Sequence, residues 1–211
     1  MTGSSHGAGL TSSRPLGLFG GRFDPVHRAH IAIAQAVADN LNLDEVHWIV
    51  TGDPAHKPAV ASAEDRLQMT RLALRDLADP RMVADDREII AAKHGGSNYT
   101  ADTVLSLQEN YPGRKLIWIL GEDQLQNFLT WSRWQWLIQQ VDLAVCARPN
   151  TISKSVSEVL LNEGAEITWV QVAPDEVSST SIRDRIRLGS AVDGLLPRSV
   201  IEYISARGLY K

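Results

Sequence analysis

Short apolar runs alternate with longer stretches of helical period along the chain. Residues 16–19 form a continuous apolar run that stops at Gly20-Gly21. Further runs of strand length lie at 45–50, 82–84, 115–120, 141–146 and 167–172. Uninterrupted apolar runs of this length suit strands buried on both faces. Between them lie stretches of period near 3.6: 29–41, rich in alanine; 63–77, with Leu67, Leu74 and Leu77 on one face; and 100–109, which stops before Tyr111-Pro112-Gly113. Ser62 with Asp65 three residues on reads as a helix start. Two more helices are predicted at 180–188 and 197–206. Strands separated by helices imply parallel pairing, so the expected fold is α/β: a Rossmann-like doubly wound parallel sheet with helices on both faces. Ligands of such sheets sit beyond the carboxyl ends of the strands, where the strand order reverses. Residues 1–13, rich in Gly, Ser and Thr, read as a flexible tail, and 14–211 as one domain.

Composition narrows the function. A net charge of −4 provides no general field for a nucleic-acid backbone, so no nucleic-acid partner is expected. No apolar run approaches the roughly 20 residues needed to span a bilayer, so no membrane role is expected either. The single cysteine, Cys146, lies in an apolar run and cannot form an intrachain disulfide, which fits a cytoplasmic protein.

The chemistry sits at turns that follow strands. Gly20-Gly21-Arg22-Phe23-Asp24-Pro25-Val26-His27-Arg28-Ala29-His30 joins the first strand to the first helix. Glycines there would let the backbone approach a phosphate without a Cβ clash. The helix start adds unpaired N–H groups and the positive end of a dipole. His27 and His30, three apart, share a face and can donate to phosphoryl oxygens. For a bare glycine pair, a tight turn with two surface histidines is the favoured reading. Neither G-x-G-x-x-G nor G-x-x-x-x-G-K-[ST] is present, and no third ligand accompanies His-x-x-His for a metal. A second turn, Val177-Ser178-Ser179-Thr180-Ser181-Ile182-Arg183, opens another helix. Its hydroxyls and amides could cradle a phosphate, with the Arg183 fork aimed at the same place. An ordinary capped helix with a solvated arginine is the alternative. Asp24, Arg22, Arg28 and Arg133 read as turn or surface residues, and Lys93-His94 as part of a mobile loop.

Together these two turns resemble the paired signatures of the H-x-G-H nucleotidyltransferase superfamily, with Ala29 in place of the glycine between the histidines and Val177 in place of isoleucine. From about residue 15 to 210 the chain is most similar to bacterial nicotinate-nucleotide adenylyltransferases. Pro54-Ala55-His56-Lys57-Pro58 resembles the loop after the family's second strand. Arg87-Glu88 followed by Tyr99-Thr100-Ala101-Asp102-Thr103 resembles its R-E…S-Y-T-x-D-T segment, with Asn98 for serine. Gly121-Glu122-Asp123-Gln124-Leu125 with Phe128 and Trp131 resembles its G-x-D-x-L…F…W segment, and Arg148-Pro149 follows the fifth strand.

The resemblance implies adenylyl transfer from ATP to nicotinate mononucleotide, giving deamido-NAD and pyrophosphate in NAD biosynthesis, by direct in-line attack. It implies catalytic roles for His27, His30 and Arg183. ATP would lie against Gly20, Gly21, Phe23, His27, His30, Gly121, Asp123, Ser179, Thr180 and Arg183, the helices of 180–211 completing its site. Nicotinate mononucleotide would meet His56, Lys57, Thr100, Trp131, Ser132 and Arg148, with Trp131 as platform for the pyridine. Trp131, Trp134 and Trp136 could instead pack a helix on the sheet, and that is expected of at least one of the latter two. Mg²⁺ is expected with ATP, bridging phosphates and water, so no protein ligand is assigned to it. A homo-oligomer is compatible with the sequence. The rival readings are a phosphopantetheine adenylyltransferase-like activity and a non-catalytic nucleotide sensor on the same fold.

Overall fold

The structure is a computed structural model describing residues 14–52, 59–96, 99–147 and 154–211. The predicted tail (1–13), the loop with His56 and Lys57, Asn98, and Arg148-Pro149 lie outside the described residues.

The six strands are β1 (Leu16–Gly21), β2 (Glu45–Val50), β3 (Met82–Asp85), β4 (Leu116–Gly121), β5 (Asp142–Ala147) and β6 (Ile167–Gln171). They form one sheet in the order β3-β2-β1-β4-β5-β6, every pair parallel. In β1, Leu16 pairs with Glu45 on one side and Leu116 on the other. The order reverses between β1 and β4, so a crevice opens at their carboxyl ends. The apolar runs are long because successive residues serve opposite faces. Phe19, Trp48 and Ile119 belong to one core layer, Leu18, Ile49 and Trp118 to the other.

The first layer is closed by α1 (Arg28–Asn40), α2 (Ala63–Leu77) and, further on, α8 (Ser179–Arg187) and α9 (Arg198–Arg207). The second is closed by α4 (Thr100–Asn110), the short α5 (Glu122–Gln126) and α6 (Trp134–Leu137), and α7 (Lys154–Asn162). The remaining helix, α3 (Arg87–Lys93), follows β3. Lys93 therefore ends a helix instead of lying in a loop; its Nζ pairs with Glu64. The Ser62 cap is present, its hydroxyl accepting from Asp65 N at 3.0 Å. Among the described residues no helix is long and apolar enough to cross a membrane.

In the C-terminal part, α8 begins at Ser179, which lines the crevice, while α9 packs on α2. Tyr203 Oη donates to Asp65 at 2.7 Å and Ser199 N to Asp76 at 3.0 Å. Beyond α9, Tyr210 turns back into the core and donates to Asp24 at 2.7 Å.

Candidate active site

The turn after β1 is set by aromatic packing. A Cβ on Gly20 would stand 2.8 Å from Cζ2 of Trp118, and one on Gly21 would stand 2.9 Å from the Phe23 ring. The glycines are thus demanded by neighbouring rings, where the sequence suggested room for a phosphate. Phe23 itself sits at φ +50, in the left-handed region that costs a non-glycine residue about 1–2 kcal/mol. Its ring is held against Phe19, Trp48 and His30 at centroid distances of 5.5, 5.2 and 5.1 Å, which offsets that strain.

Asp24 is not a surface residue. It is 1% exposed, and its carboxylate accepts from Val60 N, Ala61 N and Tyr210 Oη. Beside it, buried Arg66 donates to the carbonyls of Arg22 and Gly52. These contacts fix the path of the turn between β1 and α1. Arg28 is half-exposed yet engaged, its guanidinium bound to both carboxylate oxygens of Asp175 at 2.8 and 3.1 Å.

His27 caps α1 and His30 lies in its first turn. The two rings stack with centroids 3.7 Å apart. His27 N donates to His30 Nδ1 at 3.2 Å. A neutral imidazole whose Nδ1 accepts must carry its proton on Nε2, so His30 presents an N–H donor on its other edge. Burial pushes His27 down to about 4, against the attraction of Asp175. His30 is held well below the ordinary value by burial and by the His27 ring. Both imidazoles are therefore neutral at pH 7. His27 Nδ1 is buried with no hydrogen-bond partner among the described residues.

The second signature meets the first directly. Ser178 caps α8, accepting from Ser181 N at 3.1 Å. Ser179 Oγ donates to the Pro25 carbonyl at 3.0 Å. Arg183 is buried, donating from Nη1 to the Asp24 carbonyl at 2.8 Å and from Nη2 to Thr180 Oγ1 at 3.3 Å. Its long side chain ties α8 to the turn 159 residues earlier in the chain.

A cleft of about 830 Å³ opens over these two signatures. Gly20, Gly21, Phe23, His27, His30, Gly121, Asp123 and Ser179, all assigned to ATP from the sequence, line it; Thr180 and Arg183 do not. Its size falls in the range of small-molecule sites. Ile33, Cys146 and Val172 give one wall an apolar surface. Burial pushes the Cys146 thiol up to about 12, so it stays protonated there. Arg22, Ala29, Glu122 and Asp175 also face the cleft. The sequence carried no periodic signal for Asp175, which comes into view only through its pairing with Arg28.

Of the residues assigned to the pyridine mononucleotide, the described ones, Thr100, Trp131 and Ser132, do not line this cleft. Thr100 opens α4. Trp131 is half-buried, one face covered by Phe128 at 4.8 Å and Trp118 meeting it edge-on. Ser132 beside it is exposed. Trp134 and Trp136 pack on the second core layer, as foreseen for at least one of them. Arg133, expected to be a plain surface residue, pairs with Asp102 of α4, so the Trp131 segment is tied to the helix that carries Thr100. His56, Lys57 and Arg148 lie outside the described residues.

Comparison with known proteins agrees with this architecture. Residues 18–185 match the cytidylyltransferase-like family model. The chain is 38% identical over 200 residues to a Bordetella avium protein named "Probable nicotinate-nucleotide adenylyltransferase", covering 93% of this chain and 98% of that one. A Neisseria meningitidis serogroup B protein of the same name is 36% identical over 206 residues, covering 94% and 99%. Among solved structures, the Plasmodium falciparum nicotinic acid mononucleotide adenylyltransferase complexed with NaAD superposes with a TM-score of 0.77 at 17% identity, covering 93% of this chain and 97% of that one. The chain therefore belongs to the cytidylyltransferase-like family and, within it, to the nicotinate-nucleotide adenylyltransferases.

Proposed function

We propose that the protein joins the adenylyl group of ATP to nicotinate mononucleotide, giving deamido-NAD and pyrophosphate. The observation that carries this reading is the stacked, neutral pair His27 and His30 at the start of α1, on the same cleft as Ser179 at the start of α8. Two helix starts and a tautomerically fixed N–H donor suit a triphosphate. The mononucleotide phosphate attacks the α-phosphorus in line and pyrophosphate leaves. The bond to the incoming oxygen forms as the bond to pyrophosphate breaks, so no protein side chain bonds to substrate. His30 Nε2–H stabilises charge on the transferring phosphoryl group. Arg183, which anchors the turn through the Asp24 carbonyl, holds the departing pyrophosphate together with Ser179 and Thr180.

The ATP enters as its magnesium complex. Glu122, Asp123 and Asp175 stand on the cleft wall, and magnesium entering with ATP would screen the triphosphate from these carboxylates. The pyridine rests on the uncovered face of Trp131, and Thr100 donates to its carboxylate. His56, Lys57 and Arg148 take the mononucleotide phosphate. A carboxamide would bring an NH₂ donor against those donors, so the acid is preferred over the amide. The single cysteine, Cys146, supports a cytoplasmic setting for the reaction.

The test is pyrophosphate release from ATP and Mg²⁺ with nicotinate mononucleotide, nicotinamide mononucleotide or phosphopantetheine as acceptor. Release with the first, well above the second, is expected. Release with none would leave a nucleotide sensor; release only with phosphopantetheine would overturn the acceptor.

A further inference from the structure

Tyr210 is buried beyond the end of α9. Helix α9 stops at Arg207, and Gly208 follows at φ +63, a left-handed conformation that glycine adopts at little cost. Gly208 N donates to the Ser205 carbonyl at 3.2 Å and Leu209 N to the Ile204 carbonyl at 3.0 Å. Such bonds close the last turn of a helix and redirect the chain. Here they send Tyr210 back into the first core layer, at φ +65, where a bulky residue is rarely found. Its hydroxyl has one proton and gives it to Asp24 Oδ1 at 2.7 Å, with Met69 Sδ further off at 3.9 Å.

Asp24 stands where the two signatures meet. Its carboxylate also accepts from Val60 N at 2.7 Å on Oδ2 and from Ala61 N at 3.1 Å on Oδ1. Of these three donors, only the Tyr210 hydroxyl belongs to a side chain. The main-chain carbonyl of Asp24 accepts from Arg183 Nη1 at 2.8 Å, and the Pro25 carbonyl beside it accepts from Ser179 Oγ at 3.0 Å. The contacts that dock α8 on the β1–α1 turn thus fall on Asp24 and its neighbour. His27 follows three residues after Asp24, stacked on His30 with ring centroids 3.7 Å apart. A buried carboxylate that loses a donor must find another or shift. A shift of Asp24 is passed along the chain to the two docking carbonyls and to His27.

We propose that Tyr210 is a positioning residue for adenylyl transfer: through Asp24 it sets the β1–α1 turn against the start of α8, and with it the alignment of His27 and His30 on the cleft. Tyr210 does not line the cleft itself, so its effect is on alignment. In-line transfer depends on alignment, and a misplacement of about 1 Å can cost roughly 10²-fold in rate. The groups that meet the substrates are unchanged in identity, so the loss falls on kcat and leaves KM nearly as it was.

A second tyrosine of the same kind supplies the control. Tyr203 Oη of α9 donates to Asp65 Oδ1, also at 2.7 Å, at the contact of α9 with α2. Tyr210→Phe and Tyr203→Phe each remove one hydroxyl from a carboxylate and keep the ring. Unfolding curves are recorded for both, and kcat and both KM values are measured well below either transition. Each variant is expected to lose some stability. Only Tyr210→Phe is expected to lose kcat, about tenfold, the scale of one hydrogen bond to a charged group, with KM values within about twofold of wild type. 4-Aminophenylalanine in place of Tyr210 keeps a donor on the ring and should return kcat toward wild type. Unchanged kcat in Tyr210→Phe, an equal loss in both variants, a loss carried by KM, or no recovery with the amine overturns this inference alone. It rests on the function proposed above, and a wild-type protein that forms no product with nicotinate mononucleotide overturns that function instead. The ring ¹⁵N resonances of His27 and His30, recorded without substrate, decide independently of activity. A displacement in Tyr210→Phe that is absent in Tyr203→Phe supports the inference, and resonances unmoved in Tyr210→Phe overturn it.

Discussion

Replacing Gly20 by alanine tests whether the turn after β1 is shaped by packing or by ligand. The added Cβ would lie 2.8 Å from Trp118 Cζ2 and 3.2 Å from Cη2. Ordinary contact begins near 3.4 Å, so the ring must withdraw by several tenths of an ångström. Trp118 is 4% exposed, packed in the second core layer and edge-on to Trp131, which leaves it little room. Overpacking of this kind costs about 1–3 kcal/mol. Alanine in place of glycine returns roughly 0.5–1 kcal/mol through the unfolded chain. A net loss of about 1–2 kcal/mol is expected, or a fall of roughly 2–8 °C in Tm for a chain this long. The assay is denaturant unfolding of wild type, Gly20→Ala, Trp118→Phe and the double variant. A smaller ring should relieve the clash, giving a coupling of about 1 kcal/mol or more between the two sites. An undiminished stability of Gly20→Ala, with a raised KM for ATP, would refute the packing argument and restore the phosphate as the reason for the glycine.

Three further outcomes follow from the same geometry. His30→Ala removes the fixed donor and should lower kcat by about 10²–10³-fold with the folded state retained, as circular dichroism and kinetics would show; near-normal turnover would remove His30 from the chemistry. ¹⁵N-resolved spectra at pH 7 should find His27 and His30 neutral, with the His30 proton on Nε2. Because His27 is depressed to about 4 from 6.5, it contributes stability present above pH 6.5 and lost as pH falls toward 4, up to about 3 kcal/mol; titration of either ring near 6.5 would contradict this. His47 is the opposite case. Burial lowers it, but hydrogen bonds to Asp85 and Glu45 outweigh burial and raise it. Its contribution is full below pH 6.5 and lost as pH rises through the raised value, so the stability gap between wild type and His47→Gln should narrow from pH 6 to 9; a constant gap would sink that account.

The sheet was legible because strands buried on both faces leave unbroken apolar runs. The observed boundaries of β2 and α2 coincide with the predicted ones, and the other predicted elements shift by a residue or two, as fraying ends do. Helices α3, α5 and α6 were not predicted because they have only seven, five and four residues, too few for an amphipathic stripe; α7, of nine residues, was not predicted either. The cleft residues of the first signature were visible because glycines, histidines and a strand end lie within eleven consecutive positions. Asp24 before Pro25 is legible as fixing the turn, but its partners, and the roles of Arg66 and Tyr210, were not, because each acts on a segment remote in sequence. Tyr210 and Asp24 are 186 residues apart, and no local pattern marks such a pair. Arg183 shows what a motif leaves out about its surroundings. The residue stands where the signature predicts, but its guanidinium serves the Asp24 carbonyl.

The central claim is a single in-line transfer from ATP to a pyridine mononucleotide, aligned by the two signatures. It is tested most directly with ATP bearing a sulfur of defined configuration on the α-phosphorus, incubated with the protein, Mg²⁺ and nicotinate mononucleotide, the product being read by mass and by ³¹P resonance. One displacement predicts a deamido dinucleotide whose α-phosphorus is inverted. Retention would mean a covalent intermediate on the protein, and absence of the dinucleotide would mean a different acceptor or no transfer; each would contradict the account.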